Sequence, residues 1–133
     1  MTTREPHRFP VLLAATLLAS TAAVAQADNL QTKVQDLQLR FEDAVKAGDW
    51  GAVAALFTST ATMLPMEGGY IQGPVEVQRY YEQSGITAID ARSGRMVTVG
   101  PSVIYDIGSF TSTMNMDGTE TQVEGEYVAL AED

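Results

Sequence analysis

The chain contains no cysteine, and its single histidine, His7, lies in a segment that reads as a removable leader. Without thiols there are no disulfides and no lipid anchor on an N-terminal cysteine. Once the leader is gone there is no imidazole either. Those absences exclude Ser-His and Cys-His nucleophilic arrangements, imidazole acid–base chemistry, and the usual zinc and copper ligand sets. Positive charge is scarce as well. Setting aside Arg4, Arg8 and Glu5 leaves six basic residues against 16 acidic ones. Such a balance opposes contact with nucleic-acid phosphates and with anionic lipid, and it suits a soluble exported protein. No glycine-rich phosphate loop and no calcium-loop pattern is visible, so the sequence implies no cofactor and no metal.

Long apolar runs are also missing. A membrane helix needs roughly 20 apolar residues, and the run from Val11 to Ala19 is too short. With Arg4 and Arg8 before it and Ala25-Gln26-Ala27 after it, residues 1–27 have the form of a secretory signal. The expected location is therefore secreted or periplasmic, with no membrane association after cleavage. Residues 28–133 are then one domain, long enough for a single core without cross-links.

What is present follows a regular order. Asp28 or Asn29 is placed to cap a helix with Leu30, Val34, Leu37, Phe41 and Val45 on one face. Gly48 ends it, and Asp49 caps a short second helix through Trp50, Val53, Leu56 and Phe57. Ala61–Pro65 reads as a short strand, Glu67-Gly68-Gly69 as a turn, and Tyr70-Ile71 as a return strand. Gly73-Pro74 opens a third helix that Gly85 closes, with Val77, Tyr80 and Tyr81 inward. Long strands follow: Ile86–Val99 with an irregularity at Ser93-Gly94, then Ser102–Met114. Asp117-Gly118 makes a hairpin into Thr121–Ala131. In the middle strand Val103, Tyr105, Ile107 and Ser109 share one face, and Ile104, Asp106, Gly108 and Phe110 the other. Neither face is cleanly polar, so both are expected to be covered.

Three stretches resemble SnoaL-like domains of the nuclear transport factor 2-like superfamily, the ketosteroid isomerase-related fold. They are AGDWGAVAALFTSTATMLPMEGGYIQG, GPVEVQRYYEQ and YDIGSFT…DG…EGEYVAL. The resemblance spans nearly all of Leu30 to Leu130. It implies an α+β domain in which a cone-shaped curved antiparallel sheet wraps three N-terminal helices. Relatives usually carry one more strand beyond the position of Glu132, and the sequence ends at Asp133 without it. Either the sequence is truncated or the domain is short by a strand; a missing strand would leave a bare sheet edge, some of which a homodimer would hide.

In that family ligands enter the mouth of the cone. The residues implied to line it are Phe41, Trp50, Phe57, Met63, Met66, Tyr80, Tyr105, Met114 and Glu126. The isomerase itself uses an aspartate base, a tyrosine and a protonated aspartate. Here the tyrosine position falls on Phe41 and the base position on Leu64 or Pro65, which cannot donate or accept a proton. Ketosteroid isomerase activity is not expected. The remaining candidates for catalysis are Glu126, Asp106 and Tyr105, carboxylates and a phenol on neighbouring strands. The leading expectation is a domain that binds a small apolar molecule. The alternatives are a carboxylate-dependent isomerase, dehydratase or hydrolase on an apolar cyclic substrate, and a non-catalytic dimerisation or assembly module.

Overall fold

The computed structural model describes residues 11–133, with side chains from Ala23 onward. His7, Arg4 and Arg8 lie outside the described residues. Helix α1 runs without interruption over Val11–Ala47. A helix beginning at Asp28 or Asn29 is therefore corrected: those two residues are exposed positions inside α1, not its cap. The reason is composition. No glycine or proline occurs between Val11 and Ala47, and alanine-rich sequence gives a helix nothing to stop it. Thr32 also turns its hydroxyl back onto the Asp28 carbonyl, one helical turn earlier. No described helix is long and apolar enough to cross a membrane.

Gly48 ends α1 with φ +67°, the left-handed conformation that a side chain disfavours. Asp49 then caps α2 (Trp50–Ala54), its side chain accepting from the Ala52 amide at 3.0 Å. The helix stops before Leu56 and Phe57, which continue as turn. Strands β1 (Thr62–Met63) and β2 (Ile71–Gln72) form a small antiparallel pair of their own. Helix α3 (Gly73–Ser84) has Pro74 in its first turn and ends at Gly85.

The main sheet is β3 (Ile86–Thr98), β4 (Val103–Met116) and β5 (Thr119–Glu132), antiparallel and in sequence order. Asp117 and Gly118, both at positive φ, make the two-residue turn between β4 and β5. That turn sets the register from Met116 opposite Thr119 to Val103 opposite Glu132. In β3 the ladder shifts between Ser93 and Arg95, at the irregularity expected from Ser93-Gly94.

Two apolar clusters hold the layers together. Ala44, Val45, Val53, Val77, Tyr81 and Ile86 form the larger, where all three helices meet the start of β3. Leu30, Val34 and Ile104 form the smaller, where the middle of α1 lies on β4. The opposite face of the sheet is bare. Tyr105, Ile107, Val128 and Leu130 are all at least 40% exposed there. Among the described residues helices thus cover one face only, and the expected cover on the other face is not found among them.

Helix α1 also deals with one sheet edge. Gln38 donates to the Ala91 carbonyl, and Glu42 accepts from the Ala91 amide at 2.8 Å. Both backbone groups of one β3 residue are satisfied by helix side chains, which blocks strand addition at that point.

Candidate functional site around Asp106

Alternation along β4 puts Ile104, Asp106, Gly108, Phe110 and Ser112 toward the helices. Asp106 is 3% exposed, the one carboxylate buried on this inner face among the described residues. A buried carboxylate is tolerated only when its oxygens are hydrogen-bonded. Both are. The Tyr127 hydroxyl donates to Oδ2 at 2.7 Å, and the Ser93 hydroxyl donates to Oδ1. Each partner comes from a different neighbouring strand, so Asp106 joins β3, β4 and β5 through side chains.

Local sequence explains how they meet. Asp106 stands opposite Ala129, which makes Tyr127 its diagonal neighbour, within reach for a long side chain. Tyr127 itself stands opposite Gly108. A Cβ on Gly108 would lie 2.8 Å from the Tyr127 hydroxyl oxygen and 2.2 Å from the Arg92 carbonyl oxygen. The missing side chain is what lets the tyrosine cross the strand. Phe110 repeats the device with the roles reversed, its ring lying across Gly125 on β5. On β3, the extra residue at the Ser93–Arg95 register shift brings the Ser93 hydroxyl against the same carboxylate.

The phenol of Tyr127 is held well above its usual range. Burial is the largest cause, followed by the hydrogen bond to Asp106, the Asp106 charge and the Glu42 charge. Tyr81 is raised by burial and by Tyr80, and Tyr80 by burial and by Glu67. Tyr127 therefore stays a neutral donor, committed to Asp106. Its remaining capacity is as an acceptor, so a ligand group meeting it must donate. A raised phenol binds its proton more tightly in the folded state. Stability from this source is complete below pH about 10, where the unfolded phenol titrates, and is lost as pH climbs toward the folded value. Urea melts at stepped alkaline pH should show stability falling above pH about 10. Tyr127→Phe should make that fall shallower; an unchanged slope would remove Tyr127 as a contributor.

The other sequence-derived site residues divide into two groups. Phe41, Trp50, Phe57, Met63, Tyr80 and Met114 pack partly buried against the helical core cluster. Trp50 stacks on Tyr81 with centroids 6.3 Å apart, and Phe41 meets the same ring edge-on at 5.7 Å. Each keeps part of its surface exposed. Met66, by contrast, is exposed near the β1–β2 turn, as is Leu64, while Pro65 is half-buried. Tyr105 and Glu126 lie on the bare outer face; Glu126 is exposed, opposite Ser109. The three catalytic candidates therefore do not meet: Glu126 and Tyr105 lie on the face of the sheet opposite Asp106. Adjacent residues of a strand point to opposite faces, so Tyr105 and Asp106 cannot share one. Tyr127 and Ser93 are the partners that sequence reading missed. Counting back from the Asp117-Gly118 turn would have found Tyr127, because that turn fixes which residues face each other.

Two hollows on the described surface are lined by none of the aromatic and methionine residues above. One, of about 340 Å³, lies between α1 and the ends of β4 and β5. Its floor is Leu30, Val34, Leu37, Ile104 and Ala131, and its rim carries charges of both signs, including Lys33, Arg40 and Asp133. Lys33 and Asp133 form an ion pair across it. The other, of about 530 Å³, is polar and open, lined mainly by outer-face residues such as Arg92, Ser109 and Glu126. Among the described residues no group of three His, Cys, Asp or Glu side chains is arranged to hold a metal ion.

Helices at one end, a small hairpin, a third helix and a sheet of long antiparallel strands match solved structures over most of their length. A nuclear transport factor 2-like protein of unknown function from Shewanella oneidensis superposes with a TM-score of 0.63. It is 15% identical, over 77% of this chain and 86% of that one. This chain has the nuclear transport factor 2-like fold. A ketosteroid isomerase-like protein from Erwinia carotovora is similar as well, at TM-score 0.63 and 14% identity over 72% of this chain and 78% of that one. So is a hexachlorocyclohexane dehydrochlorinase from Novosphingobium barchaimii, at TM-score 0.63 and 16% identity over 79% and 78%. No protein-family model and no curated protein matches the sequence. At such identities the nuclear transport factor 2-like domain shares architecture with these proteins, and architecture alone does not transmit chemistry.

Proposed function

We propose that this nuclear transport factor 2-like domain is exported and binds a small apolar molecule between α1 and the inner face of its sheet. The observation that carries the reading is the hollow of about 340 Å³ with its floor of Leu30, Val34, Leu37, Ile104 and Ala131. That volume is within the range of small-molecule sites, which begins at roughly 300 Å³, and such sites are mostly apolar with a few polar groups at the rim. Rim charges of both signs orient a ligand without demanding a net charge on it. Export is supported by the form of residues 1–27 and by the lack of any cysteine to be oxidised outside the cell.

The cone-mouth aromatics implied by the family resemblance pack partly buried against the core cluster, whereas the hollow under α1 is lined by none of them. The Asp106–Tyr127–Ser93 cluster then serves as the rigid base that fixes β4 and β5 beneath the hollow, since a site held on locked side chains is the more exact one.

A neutral environment-sensitive dye, N-phenyl-1-naphthylamine, tests the reading. Its fluorescence should rise and shift to the blue on mixing with the full chain, and apolar cyclic compounds should displace it. Ala131→Trp fills the hollow and should weaken dye binding by about tenfold or more, the loss that follows when a buried apolar contact worth about 1.4 kcal/mol disappears. Equal binding by the variant, with an unchanged circular dichroism spectrum, would rule this site out.

A further inference from the structure

The hollow under α1 has an unbalanced rim. It carries two bases, Lys33 and Arg40, against three acids, Asp36, Glu132 and Asp133. Lys33 and Asp133 are taken, since they hold each other in an ion pair. Asp36 and Glu132 are left, and among the described residues neither makes an ion pair. They stand on opposite walls, Asp36 on α1 and Glu132 on β5 opposite Val103. Arg40 lies one helical turn after Asp36, so it approaches from the α1 wall only. A cation over the hollow is thus met from both walls, whereas an anion would meet Arg40 together with two uncompensated acids. The field of the whole chain has the same sign, since a formal net charge of −9 draws cations toward the surface.

We infer that the hollow selects apolar amines, whose hydrocarbon body fills the floor and whose protonated nitrogen lies between Asp36 and Glu132. The inference rests on the proposed ligand site and adds the charge and hydrogen-bonding character of what enters it. The lining also separates one kind of cation from another. Carboxylates accept hydrogen bonds, so an ammonium that carries N–H groups gains charge-assisted bonds from them. A quaternary ammonium has no N–H to donate and is recognised by aromatic faces instead. Among the described residues no aromatic side chain lines this hollow. The primary amine is therefore the better match. Asp36 and Glu132 are both exposed, so the bound head keeps much of its hydration while the floor draws the body out of water.

Four compounds with one rigid body test the inference: 1-adamantylamine, its trimethylammonium analogue, 1-adamantanol and 1-adamantanecarboxylate. Each is titrated at neutral pH and low salt against N-phenyl-1-naphthylamine bound to the full chain. The amine should displace the dye at about fivefold lower concentration than the alcohol, the upper end for an ion pair that faces solvent. The trimethylammonium compound should fall between those two, and the carboxylate should be weakest. Salt at about 0.5 M should bring amine and alcohol together, because exposed charges are screened. In the double variant Asp36→Asn with Glu132→Gln the amine should lose its advantage over the alcohol. That comparison is made within one protein, so a partial loss of folded chain does not move it. If the dye fails to bind, or Ala131→Trp leaves its binding unchanged, the ligand site itself is lost and the inference with it. If the dye binds and the alcohol or the carboxylate matches the amine, the site stands and its selectivity for amines is refuted. A trimethylammonium compound stronger than the amine, or an amine advantage that persists in the double variant, also overturns the inference.

Discussion

Gly108→Ala should destabilise the domain by about 3 kcal/mol, the upper part of the range for forcing atoms into a filled space. The new Cβ would lie 2.2 Å from the Arg92 carbonyl oxygen, a backbone atom that no rotamer change can move aside. It would also meet the Tyr127 hydroxyl at 2.8 Å, so relief on that side means losing the hydrogen bond to Asp106. Either response disturbs the sheet at its centre, where β3, β4 and β5 are joined. Gly100→Ala is the matched control. The nearest atom to its Cβ is that of Val103 at 4.0 Å, an ordinary contact, and its cost should be near zero. Paired urea melts decide the matter. Equal midpoints for the two variants would show that the strands can part at Gly108 without penalty.

Asp106→Ala is the second large effect, at about 3 kcal/mol. Removal of the carboxylate leaves the hydroxyls of Tyr127 and Ser93 without their acceptor, and hydrogen bonds to a charged group contribute roughly 1.5–3 kcal/mol each, with overlap between the two. Asp106→Asn keeps one acceptor oxygen and the same shape, so it should cost about half as much. The order of the two variants is the informative part. A burial-dominated account predicts that alanine is the milder change, because it takes a charge out of an enclosed place. A bonding account predicts the reverse, and the 2.7 Å contact with Tyr127 supports bonding. Urea melts at neutral pH should place the wild type first, Asp106→Asn next and Asp106→Ala last. Finding alanine as stable as the wild type would sink the view that this cluster holds the sheet.

The inner face of the sheet uses two glycines, Gly108 and Gly125, as gaps that the rings of Tyr127 and Phe110 cross from the facing strand. Such glycine–aromatic pairs recover packing that a bare glycine in a strand gives up. One of the two rings also carries a hydroxyl, and the chain uses it to satisfy a buried acid. Packing and polar satisfaction are thereby coupled, so Gly108 and Asp106 should behave non-additively in a double mutant.

Much of the architecture could be read from local sequence, because it depends on local chemistry. Gly48 followed by Asp49 stops one helix and starts the next, and Gly73-Pro74 begins α3, through backbone preferences that need no distant partner. Asp117-Gly118 makes a hairpin for the same reason, and alternation along β4 sorted Ile104 and Asp106 from Tyr105 and Ile107 correctly. Local reading failed at Asp28 and Asn29, where residues able to cap a helix sit within a longer one. Capping chemistry permits a start but does not compel it when the preceding alanine-rich segment is equally content to be helical.

What needed three dimensions was the meeting of residues far apart in the chain. Tyr127 reaches Asp106 only because β5 returns beside β4, and Ser93 does so only because the β3 register shifts next to it. Helix α1 reserved Ala91 for Gln38 and Glu42, half a chain away, and left the hollow over Ile104 and Ala131. Composition alone established that cysteine chemistry is absent and that His7 is the sole imidazole, since those are facts about which atoms exist. Tertiary structure alone decided which carboxylate is buried, because burial is a property of neighbours, and a chain's neighbours are chosen by its fold.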